Sequence, residues 1–363
     1  MNTTLTALRQ LHILPSVIVG LGGSGQKTLD HFKELMERRL AQTEVPLLEL
    51  LALDVVREHQ RLGAGEFLQL MVRGLERAMG RYPWAQDLQR YPLVRRLPNL
   101  EHGCGGIPAI GRLAFAVNRQ NILGALRHKS RAVAARAAMQ RAEQLGASTQ
   151  QRLTIPIWIV ASFFGSTGSG IFFDLAAHAK KSLDVQTRTY GVIFLPDCFS
   201  HIPEADRQRG QGVGYAMLRQ LQHLLNGGEH VGLCSNGEEP LRARGFLDRI
   251  YIVSGVNERG IVLDGERGDP FRAAAEFLYS YVFTDFGTQL EAQMLNNELA
   301  HPGVASFGIH KIVHPVRELA RLEKLSRVLQ AVEHVRLNGN GASGNGQQLQ
   351  DVTATKPMEV HHR

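Results

Sequence analysis

The stretch Gly20-Leu21-Gly22-Gly23-Ser24-Gly25 is a glycine-rich loop between the apolar run 14–19 and the helical pattern 27–40. A second glycine-rich loop, Gly165-Ser166-Thr167-Gly168-Ser169-Gly170, again lies between an apolar run and a helical pattern. Glycine lets the backbone approach an anion closely, and the helix that follows presents unpaired N–H groups and the positive end of its dipole. Two such loops in one α/β domain predict that backbone N–H groups hold both ends of a polyphosphate.

The composition is that of a globular protein without a membrane span. The chain has 363 residues, of which 44% are hydrophobic and 21% charged, so it can bury a large core in one domain or two. No apolar run reaches the ~20 residues of a membrane-spanning helix, and the polar residues 1–12 lack the apolar core of a signal peptide. Three widely spaced cysteines, Cys104, Cys198 and Cys234, lack metal-ligand spacing and favour a reduced, cytoplasmic setting. The net charge of +7 permits an acidic partner, but we interpret it as a solubilising surface, and binding of nucleic acid is not indicated.

Apolar strands alternate with helical patterns along the chain. This alternation predicts an α/β fold with a doubly wound, mostly parallel sheet and helices on both faces. The predicted strands are residues 14–20, 47–54, 155–164, 187–195, 246–255 and 306–313. The predicted helices are residues 27–40, 66–81, 118–145, 171–183, 214–226 and 315–337, with one long helix at 270–300. From Asn338 the chain is rich in Asn and Gly and cannot bury a core, which predicts a disordered tail at 338–363.

The first loop alone is compatible with more than one kind of nucleotide site. Gly20-x-Gly22-x-x-Gly25 matches the dinucleotide fingerprint, and Asp54, at the end of the second strand, is an acidic residue that would hold a ribose. The interval from Gly25 to Asp54 is longer than the roughly 20 residues that this fingerprint expects. Gly25-Gln26-Lys27-Thr28 approaches the ending of a phosphate loop, but Gln26 separates the glycine from the lysine. An NAD-dependent oxidoreductase therefore stays open as an alternative.

Five motifs, in order across roughly residues 13–312, resemble the tubulin and FtsZ superfamily. Ser166-Thr167-Gly168-Ser169-Gly170 resembles its Gly-Thr-Gly-Ser/Thr-Gly signature, and the first loop resembles its opening phosphate loop. Gly103-Cys104-Gly105-Gly106-Ile107-Pro108-Ala109-Ile110-Gly111-Arg112 resembles the FtsZ loop in which an Asn-Pro-Glu-x-Gly-Arg run follows glycines. Residues 196–209 resemble the segment with the ribose contacts, and Phe271-Arg272-Ala273-Ala274 resembles the start of the long central helix over the base. The likeness is strongest to the bacterial tubulin-like proteins, a divergent branch.

The resemblance implies a nucleotide-binding domain of the tubulin/FtsZ type that binds GTP, or another purine nucleotide, with Mg²⁺. The first and second glycine-rich loops would surround the phosphates, and the middle loop would close over the γ-phosphate. Thr167 and Ser169 would add hydroxyl donors. The residues implied in nucleotide binding are Gly22, Gly23, Ser24, Asp54, Gly105, Gly106, Gly165, Ser166, Thr167, Gly168, Ser169, Glu204, Arg207, Asn257 and Phe271.

The resemblance also assigns residues to the sugar and the base. Glu204 and Arg207 match ribose and phosphate contacts, and Asp54 would lie near the sugar. Asn257 matches the family's asparagine that hydrogen-bonds the base, and the helix that starts near Phe271 would lie over it.

Departures from the family pattern bear on selectivity and hydrolysis. Phe164 and Ser166 stand where the second loop of the family has glycines. Ala275 stands where FtsZ has the aspartate that pairs with guanine, so weak discrimination between GTP and ATP is expected. The stretch 302–311 occupies the place of catalytic aspartates that reach the next subunit's nucleotide, but it contains no carboxylate. Only His310 offers a base there, acting in trans, so we expect at most a slow GTPase.

These observations predict a tubulin-like nucleotide-binding protein with little of the family's second domain. We expect an N-terminal extension at 1–12, the nucleotide-binding domain with its central helix at 13–300, a truncated remnant of a second domain at 301–337, and the tail at 338–363. The expected function is nucleotide-dependent self-association or binding of a protein partner, in a cytoskeletal or regulatory role in the cytoplasm. The alternatives are the oxidoreductase and a scaffold that has kept the fold without binding nucleotide.

Overall fold

The computed structural model describes residues 11–95, 99–101, 103–149, 154–232, 238–263, 265–297, 303–308 and 323–332. The chain forms two compact units, Met1–Ile309 and His310–Arg363. In the second unit, residues 323–332 are helical and exposed. No helix in the described part of the chain is long and apolar enough to cross a membrane. The tail predicted at 338–363 lies outside the described residues, and the predicted domain limits stay predictions.

The first unit is built on a seven-stranded sheet. The described strands are β1 (Ser16–Leu21), β2 (Leu48–Asp54), β3 (Phe67–Gln69), β4 (Thr154–Ser162), β5 (Gln186–Phe194), β6 (His230–Val231), β7 (Arg242–Ala243), β8 (Arg249–Val253) and β9 (Gly303–Ala305). Seven of them pair in parallel in the order β3-β2-β1-β4-β5-β8-β9, while β6 and β7 form a separate antiparallel pair. The central strands are nearly continuous apolar runs, which is typical of parallel strands buried on both faces.

Helices cover both faces of this sheet. The described α-helices are α1 (Gly22–Leu40), α2 (Leu75–Gly80), α3 (Pro92–Arg95), α4 (Pro108–Ala134), α5 (Arg136–Gln144), α6 (Ser166–Lys181), α7 (Glu204–Leu225), α8 (Asp269–Phe283) and α9 (Asp285–Asn297). Successive residues of β1 point to opposite faces: Val17 and Val19 pack in one core with α4 and α6, and Ile18 packs in the other with α1 and α8. The predicted doubly wound parallel sheet is confirmed.

The order of the strands reverses between β1 and β4. From β1 the chain adds β2 and β3 on one side, then returns to place β4, β5, β8 and β9 on the other. In doubly wound sheets, a crevice opens at the carboxyl ends of the strands at such a point. The first glycine-rich loop follows β1 and the second follows β4. Topology therefore places two loops that are far apart in the chain at one crevice.

The stretch predicted as one helix at 270–300 forms two helices, α8 and α9. Thr284 separates them in an extended conformation, with φ −136° and ψ 169°. The second helix packs against the first: the ring centroids of Phe277 in α8 and Phe286 in α9 lie 5.8 Å apart. Gly287 permits this turn, since a Cβ there would lie 2.0 Å from the carbonyl oxygen of Tyr281.

A buried carboxylate fastens the second of these helices to the sheet. Glu291 in α9 accepts hydrogen bonds from the hydroxyl of Tyr190 on β5, at 2.9 Å, and from the hydroxyl of Tyr281 on α8, at 2.6 Å. These partners are distant in sequence, so a local helical pattern does not reveal them.

Other predicted limits differ because prolines start two helices early. The helix predicted at 118–145 begins at Pro108 and is interrupted at Ala135, and the helix predicted at 214–226 begins directly after Pro203. Proline suits the start of a helix because its fixed φ is helical and its missing N–H is not needed there. The helix predicted at 66–81 starts as β3 and becomes helical only at α2. The strand predicted at 306–313 lies after β9, and residues 309–313 are outside the described part of the chain.

Candidate functional site

A cavity of about 410 Å³ opens at the carboxyl ends of β1, β2 and β4. The predicted residues that line it are Gly22, Gly23, Ser24, Asp54, Gly165, Ser166, Thr167, Gly168 and Phe271. The lining residues that sequence analysis did not assign to the site are Leu21, Lys27, Val56, Glu58, His59, Gly103, Cys104, Ser162, Phe164, Phe199, His201, Ile202 and Gly265. The fold thus brings the first and second glycine-rich loops into one cavity.

These two loops are in direct contact with each other. Gly22 has a φ of +69°, which residues with a side chain rarely adopt, and a Cβ on it would lie 3.3 Å from the amide nitrogen of Gly168. Within the first loop, a Cβ on Gly25 would lie 2.4 Å from the carbonyl carbon of Gly20. Close approach of backbone to backbone therefore requires glycine here, and it places the amides of both loops at the border of the cavity.

The two loops contain the first turns of helices. The first of these helices, α1, begins at Gly22, and α6 begins at Ser166. The residues before them, Leu21 and Gly165, have no side-chain oxygen with which to cap a helix. The leading N–H groups of both helices are therefore left to another acceptor, and the positive ends of both dipoles lie at the cavity. This is the chemistry of an anion site.

Asp54 ends β2 and is a buried carboxylate of the cavity. Gln26 Nε2 donates to its Oδ2 at 2.8 Å, while the backbone N–H of Val55 and the hydroxyl of Thr167 donate to its Oδ1 at 2.8 and 3.0 Å. Burial raises the pKa of Asp54 to about 6, although these hydrogen bonds act in the opposite direction. All three donors are neutral, so they bind the carboxylate without balancing its charge.

The hydroxyls that the resemblance assigns to the phosphates are used within the protein. Thr167 donates to Asp54, and Ser169, which does not line the cavity, donates to the carbonyl oxygen of Ser162 at 3.1 Å. A hydroxyl has a single proton to donate. The donors that the second loop presents to the cavity are therefore its backbone N–H groups and the hydroxyl of Ser166, which also lines the cavity.

The middle loop contributes Gly103 and Cys104 to the cavity. Gly105 and Gly106, which the resemblance places over a γ-phosphate, do not line it. Both have positive φ, 59° and 72°, and a Cβ on Gly106 would lie 2.8 Å from a guanidinium nitrogen of Arg209. Burial raises the pKa of the Cys104 thiol to about 12, so this group is uncharged.

Behind the second loop, an ion pair between the partly exposed Arg112 and the buried Asp174 holds α4 to α6. Arg112 donates from Nε and Nη2 to the carboxylate of Asp174, at 2.5 and 3.0 Å, and His230 Nε2 lies 2.9 Å from its Oδ1. Burial raises the pKa of Asp174, but the hydrogen bonds from His230 and Arg112 outweigh it, and the pKa lies below its usual value. The two helix starts touch, because a Cβ on Gly170 would lie 2.2 Å from the carbonyl oxygen of Pro108. Arg112, in the middle glycine run, thus stabilises the scaffold behind the cavity.

Three predicted rim residues make local contacts. Glu204 and Arg207 form an ion pair with each other at the start of α7. Asn257 Oδ1 accepts hydrogen bonds from the backbone N–H groups of Arg259 and Ile261, at 3.0 and 2.9 Å, and so closes a turn. The structure does not bring Glu204, Arg207 or Asn257 to the lining of the cavity. Their contact with a nucleotide stays a prediction.

One wall of the cavity is aromatic. The rings of Phe164 and Phe199 stack with centroids 4.5 Å apart and planes inclined by 14°, and the centroids of Phe199 and Phe271 lie 5.9 Å apart. We call these three residues the aromatic wall. Lys27 Nζ lies 5.0 Å from the centroid of the Phe271 ring, within cation–π range. The signal in the sequence was Phe164 itself, an aromatic residue beside a phosphate loop, but its role depends on neighbours that the sequence does not place there.

Two further residues from the sequence analysis lie away from the cavity or outside the described residues. Ala275 is fully buried in the core and does not line the cavity. His310 lies outside the described residues, so a base acting in trans stays a prediction. Within the described part of the chain, no three His, Cys, Asp or Glu side chains are grouped so that they could hold a metal ion.

One family model matches most of the chain. The model of a family described as "Tubulin like" matches residues 17–333. A search of curated proteins found no significant match. Among solved structures, the chain is similar to a GTPγS-bound protofilament of CetZ2 from Haloferax volcanii, with 14% identity, a TM-score of 0.42, and coverage of 80% of this chain and 64% of that one.

Two more solved structures show a similar level of likeness. CetZ from Methanosaeta thermophila has 13% identity and a TM-score of 0.41, over 77% of this chain and 55% of that one. A GTPγS-form protofilament of TubZ from Bacillus thuringiensis serovar israelensis has 11% identity and a TM-score of 0.40, over 76% of this chain and 56% of that one. The chain spans less than two-thirds of the length of each of these proteins.

Proposed function

The chain belongs to the tubulin-like family, and on this premise we propose that its cavity binds a purine nucleoside triphosphate, with GTP favoured over ATP. The observation that carries this proposal is the meeting of two uncapped helix starts, those of α1 and α6, at one cavity. Each supplies backbone N–H groups and a positive dipole end, and two such ends suit a chain of phosphates better than a single anion.

We propose that Mg²⁺ accompanies the nucleotide. Mg²⁺ prefers oxygen ligands, retains several waters, and is usually held by one or two carboxylates together with substrate phosphates. The cavity offers the carboxylates of Asp54 and Glu58. These residues fit a cation that is shared with the ligand. When bound, the cation would neutralise phosphate charge, while the loop N–H groups orient the phosphates.

Nucleotide-dependent self-association, or binding of a protein partner, in a cytoskeletal or regulatory role is the biological function that we propose. Family membership supports it, and a cytoplasmic location accords with it. Hydrolysis by this chain would be slow, because residues 302–311, which by resemblance occupy the place of the catalytic aspartates, contain no carboxylate.

The oxidoreductase alternative depends on Asp54 as a ribose ligand. In this structure the hydroxyl of Thr167, in the second loop, donates to Asp54, so this carboxylate lies against the second loop. The second loop borders the same cavity, and a dinucleotide fingerprint does not require it. Isothermal titration of the full chain with GTP, ATP and NAD, each with Mg²⁺, tests the choice: binding of NAD alone would overturn the triphosphate proposal.

The variant Gly165→Val tests whether the second loop contacts phosphate. Gly165 has φ −84° and ψ 175°, which valine adopts readily, and a Cβ there would meet only the Ser162 hydroxyl, at 3.6 Å. The fold should therefore tolerate valine, while its methyl groups occupy the cavity and abolish detectable binding of GTP in the titration.

The matched control is Gly124→Val, the same substitution at an exposed position of α4 with no atom within 4 Å of the added Cβ. It should bind GTP like the wild type. If Gly165→Val, with an unchanged circular dichroism spectrum, also binds GTP like the wild type, the second loop is structural and the proposal fails.

A further inference from the structure

Gln26 directly follows the first glycine-rich loop, at the position where a phosphate-loop pattern has its lysine. It belongs to α1 and is fully buried. A buried amide needs hydrogen-bond partners, because an unpaired polar group in the interior costs free energy. The partners that Gln26 takes therefore indicate what its side chain does.

All three partners of this amide lie in residues 54–58, where β2 ends. Nε2 of Gln26 donates at 2.8 Å to Oδ2 of Asp54 and at 2.8 Å to the carbonyl oxygen of Val56. Oε1 accepts from the backbone N–H of Glu58 at 3.0 Å. A flipped amide would set its oxygen against a carboxylate and a carbonyl, so the network fixes the orientation of the side chain.

These hydrogen bonds tie an irregular segment to the first helix. Residues 55–63 connect β2 to β3 in an irregular conformation, and Gln26 binds this segment at two backbone positions. The carboxylate of Glu58 lies beside the first loop, since a Cβ on Gly23 would lie 2.7 Å from its Oε2. One side chain thus sets both the carboxylate of Asp54 and the segment that carries Glu58 relative to the first loop.

The two carboxylates that Gln26 connects are close enough to interact. Burial is the main cause of the raised pKa of Asp54, and the negative charge of Glu58 raises it further. A carboxylate has roughly four acceptor sites, and the three hydrogen bonds that Asp54 accepts leave one on Oδ2, the oxygen that Gln26 orients. Two carboxylates held in this way suit a divalent cation that they share with phosphates, because the cation offsets their repulsion.

We propose that Gln26 is a positioning residue, which holds Asp54 and Glu58 so that both bind a divalent cation together with phosphates at the first loop. The inference rests on the proposed function, the binding of a nucleoside triphosphate with Mg²⁺. In this role Gln26 touches neither phosphate nor cation and acts through the two carboxylates. Residues that orient metal ligands contribute roughly 10–100-fold to metal affinity. Loss of Gln26 should therefore weaken the effect of Mg²⁺ on nucleotide binding rather than nucleotide binding itself.

The experiment is isothermal titration of the full chain with GTP, once with Mg²⁺ and once with EDTA. The measured quantity is the ratio of the two affinities, because the binding of Mg²⁺ to free GTP is the same for every variant and cancels from the comparison. Gln26→Met removes the amide and keeps an unbranched side chain of similar length. Its ratio should be roughly tenfold lower than that of the wild type, while its affinity for GTP in EDTA should stay within about threefold.

The matched control is Gln69→Met, the same substitution in β3. Nε2 of Gln69 donates at 2.9 Å to the carbonyl oxygen of Val55, so it holds the same segment, and Gln69 does not line the cavity. This variant should keep the wild-type ratio. If it lowers the ratio as much as Gln26→Met does, any loosening of the segment disturbs the cation, and the role assigned to Gln26 is overturned.

Glu58→Gln tests whether Gln26 acts through Glu58. The substitution removes the charge and leaves the backbone N–H at position 58 in place, so it should also lower the ratio. A protein that combines Gln26→Met with Glu58→Gln should lose less than the product of the two single effects, because residues that act through each other are not additive. A loss equal to the full product would mean that the two act independently, against the proposal.

The outcomes distinguish the two proposals. If the wild type binds no GTP, the proposed function fails and this inference fails with it. If the wild type binds GTP equally well with Mg²⁺ and with EDTA, nucleotide binding stands and the inference is overturned. If Gln26→Met weakens GTP equally in both conditions, Gln26 shapes the first loop and only the inference is overturned. If Gln26→Met fails to fold, as judged by circular dichroism, Gln26→Asn carries the same comparison, since it keeps an amide that is one methylene shorter.

Discussion

Asp54, in the cavity, and Asp174, behind the second glycine-rich loop, are both buried aspartates held by several hydrogen bonds, yet their pKa values move in opposite directions. The partners explain the difference. Neutral donors surround Asp54, so burial dominates its pKa, whereas Asp174 accepts hydrogen bonds from the charged guanidinium of Arg112 and from His230, which lower its pKa. An unbalanced carboxylate lies where a ligand and its cation would enter, and a balanced one lies in the scaffold that holds the loops.

The largest expected effect is on the scaffold side of this comparison. Asp174→Ala should lower the free energy of unfolding by about 3 kcal/mol, the lower end of the range for a buried pair, because it leaves the partly exposed Arg112 and the buried His230 without their carboxylate partner. Urea unfolding of wild type and variant measures the change. The matched control is Asp184→Ala, which breaks the exposed pair with Arg131 and should cost no more than about 1 kcal/mol. Equal losses in the two variants would show that the Asp174 pair has no special role.

The pH dependence of stability should separate the two aspartates. The folded-state pKa of Asp54, about 6, lies above its value of 3.8 outside the fold, so its destabilising effect is complete above pH 6 and is relieved as the pH falls from 6 towards 4. The full effect is roughly 3 kcal/mol. The pKa of Asp174 is lowered, so its stabilising effect is complete above its unfolded pKa and is lost as the pH falls through its folded pKa.

The measurement is urea unfolding of the wild type and Asp54→Asn at pH 7 and pH 5. Asparagine does not titrate. The free energy of unfolding of the wild type, relative to that of the variant, should therefore be higher at pH 5 than at pH 7. A difference between the two proteins that is the same at both pH values would contradict the raised pKa of Asp54.

The smallest expected effect concerns ligand affinity at Asp54. Without Mg²⁺, Asp54→Asn should bind GTP several-fold more tightly at pH 7.5, because it removes a negative charge near the phosphates, an interaction of about 1 kcal/mol for partly solvated charges. With Mg²⁺, the variant should bind more weakly than the wild type if the carboxylate helps to hold the cation. Glu58 and His59 line the same cavity and are unchanged in both proteins, so the difference isolates Asp54. Titration of both proteins with GTP, with and without Mg²⁺, measures these affinities. If Asp54→Asn changes the affinity for GTP in the same direction in both conditions, Asp54 does not bind the cation.

The positions of the two glycine-rich loops were predictable from the sequence because their signals are local. Glycines between an apolar run and a helical pattern describe a strand, a turn and a helix within a few residues, as at Gly22 and Gly168. The pairing of the two loops also followed from alternating strands and helices, since parallel strands place their carboxyl ends at one edge.

The rest of the site depended on contacts that the sequence does not display. The role of Phe164 needs the space left by Gly210 on α7, and the division at Thr284 depends on the packing of Gly287 and the distant partners of Glu291. Asn257 was assigned by resemblance, but its side chain has a local use in closing a turn. Its contact with the base stays a prediction, because the local turn and a base would compete for the same side-chain oxygen.

A single straight helix at 270–300 would be one rigid element, but the division at Thr284 makes two helices that point in different directions. The first, the 15 residues of α8, starts at the cavity with Phe271, and the second is fastened to β5 through Glu291 and Tyr190. The two helices therefore connect the cavity, at Phe271, to the sheet, through the hydrogen bonds of Glu291 with Tyr281 and Tyr190. Because of the turn at Thr284, the second helix is anchored on the sheet and does not extend past it.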